Sequence, residues 1–332
     1  MVLSLTLLML SAAPDAGAAD AGAVDGGSAV AAATAGWTLS SKLGPGLPAR
    51  EALIADLIRP GSDAGVGETP LTRAEAEAML DDPRAQKVYG EKTVSIVAPS
   101  MLARHRQEHL DLMKRFLQPE FVAAGREFMK KHEAVLEAVE KKNKVDREHI
   151  IGILMWESKL GTITGDWVAF NALASQAFFA DEANTFALAQ VGEKGTIDEA
   201  AQARRVEKIR SRGRKNLLTL ARQCKTKGID IFTMKGSWAG ALGFPQFMPA
   251  SLRWADDGDG DGKIDLFNMP DAIASVGRYL MAAGYSRSPR EAVYDYNHEE
   301  AYVQGVLAFA EALKATPDAG APPAEKPKKQ KK

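Results

Sequence analysis

The segment His149-Ile-Ile-Gly-Ile-Leu-Met-Trp-Glu-Ser-Lys-Leu-Gly161 constrains this chain more than any other stretch. Its apolar residues neither alternate with polar ones nor keep to one helical face, so a helix made of them has to be enclosed on all sides. Asp146 stands where an N-cap belongs, and Gly161 where such a helix stops. Near the C-terminal end of this segment lies one carboxylate, Glu157, with Ile153 and Leu154 one turn back and Trp156 and Leu160 beside it. Apolar company and the negative end of the helix dipole both disfavour its ionisation, while Lys159 pulls the other way. A raised carboxyl pKa suits a general acid working near neutral pH; the plainer alternative is a helix-end glutamate turned to solvent.

A chain of 332 residues can bury a sizeable core without staples, and none is offered, since Cys224 is the only cysteine. A formal net charge of -1 lacks the basic excess of a dedicated nucleic-acid binder, so no nucleic acid is expected as partner. No run is long and apolar enough for a transmembrane helix.

The run Val2 to Ala13 has the length of a signal-peptide core, although no Lys or Arg precedes it. Residues 1–18 are therefore expected to direct export, and 19–45, rich in Ala, Gly and Asp, to form a flexible linker. One catalytic domain is expected over 46–315, followed by a disordered Lys-rich tail over 316–332.

Within that domain, helical spacing runs over Leu47–Arg59, Leu71–Leu80, Pro99–Phe116 and Phe121–Lys141, with Thr72 placed as an N-cap and Thr93–Val97 reading as a short strand. The third of these contains His105, Glu108 and His109, which spell the inverted zinc-peptidase motif His-x-x-Glu-His; a polar helix face is the competing reading. A basic cluster from Arg204 to Lys215 is either a solvated helix face or a patch for an anionic polymer.

Two later regions carry chemistry. Gly236-Ser-Trp-Ala-Gly-Ala-Leu-Gly-Phe-Pro-Gln-Phe-Met-Pro-Ala-Ser251 is too rich in Gly and Pro for a regular element and too rich in large side chains for a linker. There Ser237 and Gln246 stand among apolar and aromatic residues, as in a binding cleft or a packed structural loop. Asp257-Gly-Asp-Gly-Asp-Gly-Lys-Ile-Asp265 places Asp257, Asp259, Asp261 and Asp265 at positions 1, 3, 5 and 9 of a calcium loop, with the Lys263 carbonyl at 7. Position 12 is Asn268 instead of Glu, leaving Asp271 to close the sphere.

These stretches, together and in order, resemble the lytic murein transglycosylase B family over roughly Lys87 to Leu313. The resemblance implies a mainly helical α+β, lysozyme-like fold in a periplasmic enzyme of a Gram-negative bacterium, with peptidoglycan glycan strands as substrate. It also implies that Glu157 is the catalytic acid, that Ser237, Gln246, Tyr279, Tyr296, Asn297 and Tyr302 contact substrate, and that Asp257, Asp259, Asp261, Lys263 and Asp271 hold a structural calcium ion. An early cleft tyrosine of the family is missing, with Leu112 near its place, and its arginine pair has no clear equivalent, so that Arg204 and Arg205 are not assigned that role. The implied reaction cleaves the β-1,4 bond between N-acetylmuramic acid and N-acetylglucosamine and leaves a 1,6-anhydromuramoyl end. A hydrolytic muramidase, a calcium-stabilised wall-binding protein without turnover and, more remotely, a zinc peptidase are the alternatives.

Overall fold

The computed structural model describes residues 26–60, 68–99, 101–191 and 197–315. The expected signal peptide and the Lys-rich tail lie outside them. Helices dominate. The first are α1 (Gly26–Thr34), α2 (Ser40–Leu43), α3 (Pro48–Ile58), α4 (Arg73–Asp81) and α5 (Gly90–Val97). They are followed by α6 (Met101–Phe116), α7 (Pro119–Lys131), α8 (Glu133–Asn143) and α9 (Arg147–Ser158). Then come α10 (Ala169–Val191), α11 (Glu199–Lys227), α12 (Met269–Ala282), α13 (Pro289–Tyr296) and α14 (Glu300–Lys314). Two short strands, β1 (Trp167–Val168) and β2 (Lys235–Gly236), pair antiparallel with Trp167 opposite Gly236.

The central helix is α9. Every residue from His149 to Ser158 is buried, as a helix apolar all round requires. Helices α7, α8, α12 and α14 surround it. Each fully enclosed Ile or Leu contributes about 1.5–3 kcal/mol relative to exposure, so this helix is stable only inside its jacket. Its closest neighbour is α14: a Cβ on Gly305 would lie 2.1 Å from the Trp156 indole, so only glycine lets the two helices approach this far.

Several local expectations change under tertiary packing. Asp146 occupies the N-cap position of α9 without a side-chain cap bond; its carboxylate instead accepts from Lys314 Nζ at 3.0 Å. Thr72, by contrast, forms a full capping box with Glu75. The Thr93–Val97 stretch is helical, because Val94, Ile96 and Val97 pack with α10, α11 and Trp238 in a second apolar cluster. The single helix expected over Phe121–Lys141 breaks at His132, whose φ of -110° and ψ of 23° separate α7 from α8. Within the stretch expected as a linker, Gly26–Thr34 is helical and Leu39 and Leu43 pack into the core.

Four arginines of the basic cluster are engaged in bonds within the fold, while Arg204, Lys208 and Lys215 are exposed. Arg214 bonds Asp56 on α3 at 2.6 Å, Arg205 bonds the Ile96 carbonyl of α5 at 2.7 Å, and Arg212 bonds Gln176 on α10 at 3.1 Å. Arg210 pairs with Asp181 and Glu207. These arginines tie α11 to its neighbours, which removes most of the basis for an anionic-polymer patch.

Candidate active site

Glu157 sits on the last turn of α9 and is 1% exposed. The alternative of a solvent-facing helix end is therefore ruled out. Tyr302 lies against its carboxylate, and Tyr296 is near enough to feel its charge. Burial first, and then the Glu157 charge, push both phenols well above the usual tyrosine value, so they stand as neutral hydroxyls beside the carboxyl group. The Trp156 ring is wedged edge-on between Phe116, at 4.9 Å, and Tyr302, at 6.0 Å.

The chain leaves α9 through an unusual turn. Lys159 and Leu160 both adopt left-handed backbone, with φ of 49° and 55°, before Gly161 at 87°. The Lys159 and Leu160 amides return to the Met155 and Leu154 carbonyls, each at 3.0 Å, which closes the helix end. Among the described residues only four non-glycines have positive φ, and three of them, Lys159, Leu160 and Gln246, belong to this region. Such backbone costs about 1–2 kcal/mol per residue and persists where surrounding structure enforces it, as functional sites commonly do.

Gln246 shows how it is enforced. Its amide nitrogen donates to the Gly243 carbonyl at 2.8 Å and to the Thr164 carbonyl at 3.2 Å, joining the 236–251 loop to the loop that follows the acid. Ser237 is fully buried, and its Oγ accepts from the Ala241 amide at 3.1 Å and the Ala239 amide at 3.3 Å. The bridges Gly236 to Leu242 and Leu242 to Phe247 complete a tight, side-chain-lined loop. Tyr296 anchors it by donating to the Pro245 carbonyl at 2.6 Å. Tyr279, whose phenol burial pushes up to about 12, donates to the Asp295 carbonyl at 2.9 Å and packs on Tyr296 at 4.8 Å. Phe247 contacts both of these rings, a role the sequence analysis did not assign although Phe-Pro-Gln-Phe placed it beside Gln246. Asn297 is 3% exposed, and its Nδ2 has no hydrogen-bond partner among the described residues. Tyr279, Tyr296, Asn297 and Tyr302 are thus gathered by α12, α13 and α14 around the end of α9. Leu112 is buried in the core.

Asp166 is exposed, on the loop beyond α9. Two phenols, Tyr296 and Tyr302, stand close to the Glu157 charge.

Three carboxylates at the acidic loop come close enough together that they could hold a cation. Carboxylate oxygens of Asp257, Asp259 and Asp271 come within 4.8 Å of one another, and this is the one such grouping of His, Cys, Asp and Glu among the described residues. Asp271 is 1% exposed and accepts from the Gly258 amide at 2.8 Å and the Asp265 amide at 2.7 Å, which fixes both of its oxygens from behind. Asp257 accepts from the Gly260 and Gly262 amides, which hold its carboxyl below the ordinary range. Hard oxygen donors of this kind suit calcium, and it is Asp271 that joins Asp257 and Asp259 in the cluster. Asp261 stands outside the cluster; its Oδ1 accepts from the Lys263 amide at 2.7 Å.

The His-x-x-Glu-His stretch does not assemble a metal centre among the described residues. The His105 side chain lies outside them, and the buried His109 Nδ1 meets a Glu299 carboxylate oxygen at the start of α14.

Comparison with known proteins points in one direction. A family model described as the transglycosylase SLT domain matches residues 64–294. Membrane-bound lytic murein transglycosylase B of Escherichia coli (strain K12) is 32% identical over 182 residues, covering 54% of this chain and 43% of that protein. This chain therefore spans less than half the length of that relative. The E. coli lytic transglycosylase Slt35 bound to bulgecin A superposes with a TM-score of 0.59 at 19% identity, over 80% of this chain and 93% of its own. The same enzyme solved with calcium gives a TM-score of 0.57 at 19% identity, with coverage of 80% and 93%. SltB3 of Pseudomonas aeruginosa, in complex with NAG-NAM-pentapeptide, gives 0.53 at 18% identity over 82% and 81% of the two chains. At these identities the superpositions establish a shared lysozyme-like, mainly helical fold.

Proposed function

The chain belongs to the transglycosylase SLT domain family, and on that premise we propose that it is a peptidoglycan lytic transglycosylase with Glu157 as its acid and base. The observation that carries this reading is a carboxyl group buried on the central helix with the neutral phenols of Tyr296 and Tyr302 beside it.

Ordinary glycosidases place two carboxylates across the scissile bond. With one, the protonated Glu157 donates its proton to the oxygen bridging N-acetylmuramic acid and N-acetylglucosamine, and the bond from that oxygen to the muramoyl C1 breaks. The Glu157 carboxylate then accepts the proton of the same sugar's C6 hydroxyl as its oxygen bonds to C1. The product is a 1,6-anhydromuramoyl end, no water is consumed, and the acid is restored. Tyr302 stabilises the carboxylate between these steps by hydrogen bonding to it. Asn297, with its unsatisfied Nδ2, and Tyr279, Tyr296, Ser237 and Gln246 shape the sugar cleft; the last two do so chiefly by holding the loop.

Calcium, in this reading, is structural. Asp257, Asp259 and Asp271 hold it with help from Asp261 and the Lys263 carbonyl, and it staples the 257–265 loop to the start of α12. The relatives act on the bacterial cell wall, and the enzyme is assigned to the periplasm, with an exported chain. No helix among the described residues is long and apolar enough to cross a membrane.

The test is digestion of purified peptidoglycan by wild-type protein and by Glu157→Gln, with the muropeptides separated by mass spectrometry. Anhydromuramoyl ends are expected from the wild type, with a loss of roughly 10²–10⁴-fold in the variant. Reducing muramoyl ends would instead identify a hydrolase, and binding without soluble product would identify a wall-binding protein.

A further inference from the structure

The His-x-x-Glu-His motif on α6 remains without a role in this chemistry, yet its second histidine is 5% exposed and meets the residue that starts α14. His109 Nδ1 pairs with a Glu299 carboxylate oxygen. Glu299 is the N-cap of α14, and its carboxylate accepts from the Tyr302 amide at 3.1 Å. Its own amide donates to the Asn297 carbonyl at 2.8 Å. Tyr302 in turn lies against Glu157. A continuous path of contacts therefore runs from His109 through Glu299 and the first turn of α14 to the acid. The same face of α6 carries Phe116, whose ring braces Trp156 next to Glu157.

The pairing is the means by which this helix start is held. A cap carboxylate with 28% of its side chain exposed has other rotamers open to it; the buried imidazole selects the one aimed at the Tyr302 amide. Burial works to raise the Glu299 carboxyl, but the His109 bond and charge, with the Tyr302 and Ala301 amides, outweigh it and leave the group below its ordinary range. The cap thus remains ionised and accepts hydrogen bonds.

We propose that His109 is a positioning residue of the catalytic site, acting through the Glu299 cap to hold Tyr302 in register with Glu157. The proposal rests on the transglycosylase reading for its kinetic consequence, and on geometry alone for its structural one. Its step is mechanical: no proton passes along the path, and His109 never meets substrate.

Two measurements test it. The first reads kcat and KM for release of anhydromuropeptides by wild type, His109→Leu, His109→Gln, Glu299→Ser and the His109→Leu/Glu299→Ser double variant. Leu keeps the buried volume and removes the donor, and is expected to lower kcat by roughly ten- to a hundredfold, with KM changed less than kcat. Gln restores a donor and is expected to recover most of the loss. Ser caps α14 without needing His109, so the double variant should be no worse than Glu299→Ser alone. Additive losses in the double variant, or unchanged kcat in His109→Leu, overturn the proposal.

The second measurement needs no activity. In 13C-tyrosine NMR, with six tyrosines to resolve, the Tyr302 signal should shift when Glu157→Gln is introduced, and this response should vanish in the His109→Leu background. If the wild type releases no anhydro product, the transglycosylase reading fails, while the NMR response still decides the positioning role. Should His109→Leu fail to fold, Glu299→Gln reaches the same link from its exposed end. A Tyr302 response to Glu157→Gln that persists in that background overturns the proposal equally.

Discussion

At the scale of the residue, chemistry here is set by what surrounds a group. Glu157 is enclosed by Trp156, α14 and two phenols, so removal from water disfavours its charged form. In the free enzyme its carboxyl is expected to titrate above a model glutamate by 13C NMR; an ordinary value would remove the argument for a burial-tuned acid. The buried phenols of Tyr279, Tyr296 and Tyr302 are raised chiefly by desolvation and hold their protons in the native state beyond the pH at which an unfolded tyrosine loses its own. Their stability contribution is fully present below about pH 10, the unfolded value, and is lost as pH rises from there through the higher native values. Chemical denaturation at pH 8 and at stepped alkaline values should show a falling midpoint. Tyr302→Phe should weaken that fall and also lower activity, because it removes the hydroxyl beside Glu157.

At the scale of the element, two close approaches define the site. The first is α9 against α14 at Gly305. Gly305→Ala puts a methyl group into the Trp156 ring and is expected to cost about 1–3 kcal/mol, measurable as a lower thermal midpoint. Activity should fall further than stability alone explains, because Trp156 precedes the acid. The second is the acidic loop against α12, where a Cβ on Gly258 would lie 2.0 Å from the Pro270 carbonyl. Calcium should raise the melting temperature of chelator-treated protein in proportion to the logarithm of its concentration above the dissociation constant. Asp271→Asn should abolish that rise, whereas a rise that survives it would place the ion elsewhere.

At the scale of the whole molecule, the site is a convergence of segments distant in sequence. The acid comes from α9, the loop from 236–251, and the tyrosines from α12 to α14. One apolar core running from Leu39 to Leu313 holds them in register. The arginines of α11 brace the frame by bonding α3, α5 and α10. Arg214→Ala is therefore expected to lower the thermal midpoint without changing the muropeptide profile, since its bond to Asp56 is part of the frame and not of the cleft. A changed profile at unchanged stability would return this segment to the substrate-binding surface.

Much of this was legible in the residues themselves, because the responsible forces are local or periodic. An apolar segment that keeps to no one helical face belongs at the centre, and closely spaced aspartates with glycines at turn positions form an acidic loop. The order of these motifs was enough to give the family. What was not legible depended on long-range partners. Thr93–Val97 is helical because α10 and α11 offer it an apolar surface, and Asp146 abandons its cap because Lys314, from the far end of the chain, competes for it. Trp37 to Leu43 joins the core, although the Ala- and Gly-rich composition around it suggested a tether. Most clearly, His109 carried a zinc motif in sequence and a contact with Glu299 in space. A motif records which groups are available along one helix face. Which of them meet depends on the packing of a helix almost two hundred residues away, and that was decided only by the tertiary structure.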